Sequence, residues 1–168
     1  IQTTTCRGVQ KGAGNSLAIV NEILYYKSRN GVCAYDGSLP SDISAAFGDI
    51  HYTGIDENNA DFLRNGATAG ALGNKYYISM KSEADNQYYL FVYDTSKGMW
   101  HKEDNTRADL FCACRNELYY IDHDESTIKS VMGSGNLDTK PFEWMAETGI
   151  ITYPYVQYGQ GMDIDKKY

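Results

Sequence analysis

A short phrase occurs three times in this chain: an Asn followed within a few residues by a pair of tyrosines in an apolar stretch. The copies are Asn21-Glu22-Ile23-Leu24-Tyr25-Tyr26, Asn74-Lys75-Tyr76-Tyr77-Ile78 and Asn116-Glu117-Leu118-Tyr119-Tyr120-Ile121. They begin at positions 21, 74 and 116 and therefore lie 53 and 42 residues apart. Spacings of this size are typical of repeats made of four short strands, such as the blades of a β-propeller.

The surrounding sequence predicts strands rather than helices. Tyrosine outnumbers phenylalanine 15 to 5, and aromatic and β-branched stretches that end at Gly, Asn, Asp or Ser clusters are typical of strands and hairpins. We expect an all-β fold, a β-propeller-like array of three to four small antiparallel sheets that belongs to a larger or incomplete propeller. Residues 1–132 hold the blades, at about 17–37, 69–102 and 109–131, and 133–168 form a connector, further strand or strands and a tail.

The predicted strands lack the strict alternation of a sheet with one wet face. Ile23, Leu24, Tyr25 and Tyr26 are consecutive, so both faces of the strand are expected to be covered. The two tyrosines of each phrase should then point to opposite faces, one toward each neighbouring sheet.

Smaller features carry further expectations. The segments 41–47 and 58–64 each predict a turn or two of helix inserted in the β-chain. Cysteines at 6, 33, 112 and 114 are irregularly spaced, which favours reduced thiols. Cys112 and Cys114 share one face of a strand, and we expect both to be small buried packing residues.

Composition limits the possible partners. The chain has 15 Lys and Arg against 22 Asp and Glu, a net charge of −7, and direct binding to nucleic acid phosphates is not expected because it needs a basic surface. No apolar run reaches the roughly 18 to 20 residues that span a bilayer, so no membrane association is expected. The chain begins with Ile1, and we expect a piece of a longer gene product or a processed chain.

Few residues are arranged for chemistry. Asp122-His123-Asp124-Glu125 lacks the spacing of a calcium loop and lies where a hairpin needs polar turn residues. Gly12-Ala13-Gly14 lacks the Lys-Ser/Thr ending of a phosphate loop. No nucleophile, base and oxyanion site can be assembled, so we expect neither enzymatic activity nor a catalytic, metal or cofactor-binding residue, and no cofactor.

Several stretches resemble a group of structural proteins of tailed-phage and prophage virions, which includes the phage stabilisation proteins. The stretches are Cys6-Arg7-Gly8, Gly31-Val32-Cys33-Ala34-Tyr35-Asp36-Gly37-Ser38-Leu39-Pro40, Gly70-Ala71-Leu72-Gly73-Asn74-Lys75-Tyr76-Tyr77 and Tyr93-Asp94-Thr95-Ser96-Lys97-Gly98-Met99-Trp100-His101-Lys102-Glu103-Asp104. The resemblance implies a propeller-bearing subunit of the neck or tail, or a head-completion component, without catalytic residues. It also implies that the protein is made in the host cytoplasm, resides in the virion and contacts other virion proteins or copies of itself.

Two alternatives remain open. One is a carbohydrate- or protein-binding propeller, in which Trp100, His101, Tyr52 and Tyr153 are the candidate contacts to a glycan or partner. The other is a fragment of a glycoside hydrolase-like propeller, because Glu103 and Asp104 follow Trp100 and such enzymes use two carboxylates.

Overall fold

The described part of the chain is all-β. The structure is a computed structural model that describes residues 7–48, 52–53 and 66–132. Within these ranges the chain forms three small antiparallel sheets and two short 3-10 turns, and no residue is α-helical. The chain divides into a unit of residues 1–135 and a second of residues 136–168, of which the second lies outside the described ranges.

Sheet 1 is a four-stranded meander. Its strands, in both chain and spatial order, are β1 (Ala18–Val20), β2 (Ile23–Lys27), β3 (Val32–Tyr35) and β4 (Ser41–Asp42). A 3-10 turn (Gly14–Ser16) precedes β1, and a second (Ala45–Phe47) follows β4.

Sheet 2 is the largest sheet. Its strands are β5 (Tyr52–Thr53), β6 (Thr68–Leu72), β7 (Lys75–Ser82), β8 (Tyr88–Asp94) and β9 (Met99–Asp104). The strands β6 to β9 form a meander, and β5 pairs with the end of β7 on the same side as β6.

Sheet 3 has three strands in chain order, which are β10 (Ala108–Cys114), β11 (Glu117–Asp122) and β12 (Ile128–Ser130). The first strands of the three sheets are neighbours, since β6 contacts both β1 and β10.

Each copy of the Asn-tyrosine phrase lies at a two-residue hairpin between the first and second strand of its sheet. The pairs that close these hairpins are Val20 with Ile23, Leu72 with Lys75 and Cys114 with Glu117. Asn21 and Glu22 both have positive φ, 49° and 66°, as a type I′ hairpin turn requires. The second strands of the three sheets begin at positions 23, 75 and 117, which are 52 and 42 residues apart. The first spacing is one residue shorter than that of the asparagines, because Asn21 is the first residue of its turn whereas Asn74 and Asn116 are the second.

One core lies between sheet 1 and the near face of sheet 2. Tyr25 of β2 stacks on Tyr76 of β7 with their ring centroids 5.3 Å apart. Tyr76 is fully buried, and its hydroxyl donates a hydrogen bond of 2.7 Å to the carbonyl of Ser16. Other buried members of this core are Ala13, Val20, Val32, Ala67, Ala69, Ile78, Met80 and Phe91.

A second core lies between the far face of sheet 2 and sheet 3. Tyr77, the neighbour of Tyr76, packs here against Phe111 and Leu118 together with Leu90, Val92 and Ala108. The middle sheet is therefore covered on both faces, and the expectation that the paired tyrosines point to opposite faces is confirmed for Tyr76 and Tyr77.

Several expectations are corrected. The segment 41–47 is helical only over its last three residues, the 3-10 turn Ala45–Phe47, because Ser41–Asp42 pairs with β3 and the Asp42 carboxylate accepts a 2.9 Å hydrogen bond from the Ser44 N–H. Cys112 and Cys114 are exposed rather than buried, while Cys33 is buried, and these three are free thiols. The predicted helix at 58–64 and the whole of 133–168 lie outside the described residues.

The strand predictions agree well with the three sheets, and the coarse class, an all-β chain of small antiparallel sheets, is confirmed. The first sheet extends beyond the predicted 17–37 because β4 was not expected, and the second gains β5. Both additions are two residues long, too short to leave a periodic pattern.

Gly70 allows sheets 2 and 3 to approach each other closely. A Cβ at this position would lie 2.6 Å from the Cβ of Phe111. We predict that Gly70→Ala destabilises the fold by roughly 1 to 3 kcal/mol, because the sheets must separate or Phe111 must move. Urea denaturation measures this change.

Gly14→Ala is the matched control, because a Cβ there meets no atom within 4 Å. We expect it to change the free energy of unfolding by about 0.5 kcal/mol or less. Equal effects of the two variants would contradict the close sheet contact.

Candidate functional site

Trp100 lies in an aromatic cluster and links sheet 2 to the segment after β4. Its indole N–H donates a 2.7 Å hydrogen bond to the carbonyl of Ile43. Its ring lies 4.9 Å from that of Phe47 and 5.0 Å from that of Tyr93, centroid to centroid. These contacts use both the polar atom and the ring of Trp100 in packing.

Tyr52 belongs to the same cluster, whereas His101 does not. The Tyr52 ring lies 5.2 Å from Phe47 and 4.8 Å from Phe91, and burial raises the pKa of its hydroxyl. His101 follows Trp100 in β9, is exposed and points to the opposite face of the strand. The structure therefore brings Trp100 and Tyr52 together through Phe47, separates His101 from them, and leaves Tyr153 outside the described residues.

Glu103 and Asp104 are exposed successive residues of β9 and lie at a β-bulge in its pairing with β8, where the simple alternation of faces is interrupted. Asp104 also accepts a 2.8 Å hydrogen bond from the Thr106 N–H at the strand end. A glycosidase needs two carboxylates that flank one scissile bond, whereas the Asp104 carboxylate is already used to hold the backbone at the end of β9.

The acidic segment 122–125 forms the hairpin tip between β11 and β12, as expected. Asp122 accepts hydrogen bonds from the N–H groups of Asp124 (3.0 Å) and Glu125 (2.9 Å) and from the Lys129 ammonium (3.0 Å). Burial alone would raise the Asp122 pKa, but these bonds and the Lys129 charge outweigh it and lower the pKa below its ordinary value. Within the described residues, no group of three or more His, Cys, Asp or Glu side chains could hold a metal ion.

A polar network connects the hairpins at one end of sheets 1 and 2. The Asn74 side chain donates to the hydroxyl of Ser96 (2.6 Å), and the Asn21 side chain donates to the hydroxyl of Thr95 (3.1 Å) in the neighbouring sheet. Asp94 accepts from the Ser96 hydroxyl and N–H, and the hydroxyl bond is the main reason for its lowered pKa. Two of the three repeated asparagines thus hold hairpins together, a role that the sequence pattern did not predict.

A polar cleft of about 200 Å³ lies where the β7–β8 hairpin approaches residues 105–107 and the β11–β12 hairpin. The Arg107 guanidinium lies over the Tyr88 ring, 4.4 Å from its centroid. The other lining residues are Lys81, Asn86, Gln87, Asn105 and Asp124. The cleft is smaller than the roughly 300 to 1,000 Å³ of typical small-molecule sites, so it is a weak candidate for a ligand site.

Lys27 is a buried lysine that the sequence analysis did not predict. Its side chain is buried in sheet 1, and its ammonium donates a 2.6 Å hydrogen bond to the carbonyl of Ser28. Burial lowers its pKa to about 8, although the charges of Glu83, Cys33 and Asp42 act in the opposite direction. A lysine in a strand ending at a Ser-Arg-Asn turn gives no sequence signal of burial.

A further candidate functional surface is the exposed side of sheet 3, which we call the outer face of sheet 3. Its apolar and cysteine residues are Leu110, Cys112, Cys114, Tyr119, Ile121 and Ile128, and strand pairing adds the polar residues Glu117 and Ser130 at one end. Leu110 is 49 % exposed and Ile128 is 75 % exposed. Strand pairing places Leu110, Ile121 and Ile128 in one row across the sheet. An apolar row of this kind on a sheet is typical of a contact surface.

The comparisons with known proteins give no relative. No protein-family model matches this chain, and neither a curated protein nor a solved structure is significantly similar to it. In the described part of the chain, no helix is long and apolar enough to cross a membrane.

The buried lysine predicts a specific pH dependence. The folded-state pKa of Lys27 is about 8 against an ordinary value of 10.5, so between these pH values the unfolded chain binds more protons and wild-type stability rises with pH. Lys27→Met removes this dependence. The variant should be more stable than wild type at pH 7, and the difference between their free energies of unfolding should fall by roughly 2 kcal/mol from pH 7 to pH 9.5.

Urea denaturation of both proteins at each pH measures this difference. The contributions of the tyrosines are common to both proteins and therefore cancel in it. Lys97→Met is the control, because the Lys97 side chain is 66 % exposed and its difference from wild type should hardly change. A constant difference between wild type and Lys27→Met across this range would show that Lys27 is not buried as described.

Proposed function

We propose that this protein is a non-enzymatic assembly scaffold of the β-propeller type that serves in a phage virion. The observation that carries the proposal is the stacking of three small sheets, in which the middle sheet is covered on both faces. Such stacking makes a rigid unit from tyrosine-rich strands without helices. The exposed apolar face of sheet 3 supplies a surface for a neighbouring subunit.

Two features support the propeller. Each sheet contains a meander of three or four short strands. The first strands β1, β6 and β10 lie side by side, as the innermost strands of successive blades do. Three sheets are fewer than the four to eight blades of a closed propeller, so the ring needs further sheets from this chain or from another subunit.

The virion role rests on the resemblance of the stretches 31–40, 70–77 and 93–104 to virion structural proteins. These stretches contain hairpins and turns such as Asp36-Gly37-Ser38 and Asp94-Thr95-Ser96, where Asp side chains accept hydrogen bonds from Ser38 and Ser96. The resemblance therefore concerns residues that build the sheets. Under this proposal the protein is made in the host cytoplasm and belongs to the neck, tail or head-completion assembly, where it contacts other virion proteins or copies of itself.

The carbohydrate- or protein-binding alternative has less support. Its central residue, Trp100, is only half-exposed and engages Ile43, Phe47 and Tyr93, whereas a sugar site presents an aromatic face to solvent. His101 lies on the other side of the strand. The hydrolase alternative has less support for the reason given above for Glu103 and Asp104.

Antibody labelling of purified phage particles tests the proposal. We expect negative-stain images of particles from a host carrying this gene to show label at one end of the capsid, at the neck or tail. A matched control is a particle preparation from a host in which the gene is deleted, which should carry no label. Absence of label and of the protein's peptides from intact virions would contradict the virion role.

A further inference from the structure

In the described part of the chain, sheet 1 packs on sheet 2 and sheet 2 packs on sheet 3. The same two kinds of sheet face meet in both contacts. We count from the first residue of the second strand of each sheet, which is Ile23, Lys75 or Glu117. Odd positions, such as Tyr25 in sheet 1 and Tyr77 in sheet 2, pack toward the following sheet. Alternation along a strand places even positions on the other face.

Even positions pack toward the preceding sheet. Tyr76 and Ile78 of sheet 2 lie in the core shared with sheet 1. Leu118 and Tyr120 of sheet 3 lie in the core shared with sheet 2. Every contact between sheets in the described part of the chain therefore joins an odd face to an even face.

The odd faces share a second feature, a small residue beside a tyrosine. Ala18 pairs with Tyr25, Gly70 with Tyr77, and Cys112 with Tyr119, each time on the first two strands of a sheet. In sheet 2 the small residue makes room for the next sheet, because Phe111 lies directly over Gly70. Cys112 thus occupies the position where the odd face of sheet 3 would receive a side chain from a further sheet.

Each end of the described stack exposes part of one face of this kind. The outer face of sheet 3 is an odd face. The even face at the other end, which we call the outer face of sheet 1, comprises Leu17, Ile19, Leu24, Tyr26, Cys33 and Tyr35. Ile19 is 67 % and Leu17 is 42 % exposed, whereas Tyr26 and Cys33 are buried. Arg7 of the same chain lies over the buried part, because its carbonyl accepts a hydrogen bond from the Tyr26 hydroxyl and its guanidinium binds Asp42, the strand partner of Cys33. The part of this face that a further sheet can contact is therefore the edge with Leu17 and Ile19.

Leu17 has the position in sheet 1 that Phe111 has in sheet 3. Leu17 directly precedes the small residue Ala18, and Phe111 directly precedes Cys112. Inside the chain, Phe111 fits over the small residue of the sheet before it. An exposed Leu17 therefore provides a side chain that fits over Cys112, and each end of the stack is complementary to the other.

We propose that the outer face of sheet 3 binds the outer face of sheet 1 of a second copy of this chain, head to tail. Because the two surfaces differ, this contact is heterologous and either closes a ring or extends a filament. The inference deepens the assembly role proposed above by naming the partner as another copy. It is carried by the repeated odd-to-even contact and not by the resemblance to virion proteins.

Sedimentation velocity of the full chain over 1 to 200 μM tests this inference. We expect wild type to form dimers or larger rings. Ile128→Glu on the outer face of sheet 3 and Ile19→Glu on the outer face of sheet 1 should each weaken association at least about tenfold, since each buries an unpaired charge in the contact. Leu39→Glu is the control at a 66 % exposed loop residue of neither face, and it should associate as wild type does.

Mixing the two face variants distinguishes a head-to-tail contact from a symmetric one. Each variant keeps one intact face, so an equimolar mixture should form a one-to-one dimer that neither variant forms alone. Circular dichroism spectra equal to that of wild type establish that the variants fold. A wild type that stays monomeric at 200 μM, as it would if residues 133–168 covered the face, or a mixture that stays monomeric, would overturn the inference.

These results are distinct from those of the virion test. A monomeric protein that is nevertheless found at the neck or tail would refute self-association and leave the virion role intact. A protein that assembles head to tail but is absent from virions would do the opposite.

Discussion

The burial of two neighbouring tyrosines on opposite faces of β7 is the contact on which the arrangement of the sheets depends. Tyr76 closes the core with sheet 1, and Tyr77 closes the core with sheet 3. Each buried ring stabilises its core by roughly 2 to 3 kcal/mol, and Tyr76 also satisfies its hydroxyl at the Ser16 carbonyl. A sheet with both faces buried cannot slip by one residue in register, because every side chain would move to the wrong core.

The ends of the sheets are fixed by polar turns rather than by apolar packing. Aspartates at strand ends accept N–H hydrogen bonds from the residue two positions later, as Asp36, Asp94 and Asp104 do. Some of the acidic residues behind the net charge of −7 are therefore aspartates that stabilise turns. Hydrogen bonds from Ser38 and Ser96 hold the pKa values of Asp36 and Asp94 below the ordinary value, which favours the folded state above that value and less so in acid.

The sequence predicts the three sheets because hydrophobic stretches and hairpin turns are local signals. The opposite faces of Tyr76 and Tyr77 also follow from sequence, since alternation along a strand is fixed by backbone geometry. The exposure of Cys112 and Cys114 does not follow from sequence, because it depends on whether another sheet packs on the outer face of sheet 3. Nor do the packing partners of Trp100, since Ile43 and Phe47 lie 57 and 53 residues earlier in the chain. The proposed head-to-tail contact is likewise not a local signal, because it depends on which face of each sheet is covered by the neighbouring sheet.

Native-state hydrogen exchange tests the central claim, that the middle sheet is covered on both faces, most directly. The experiment is made at low protein concentration, so that self-association does not protect the outer faces. The amides of β7 and β8 should exchange only through global unfolding, with protection at least about tenfold greater than that of the β11–β12 pair at the end of the stack. Equal protection of β7 and β12, or faster exchange in β7, would contradict the account.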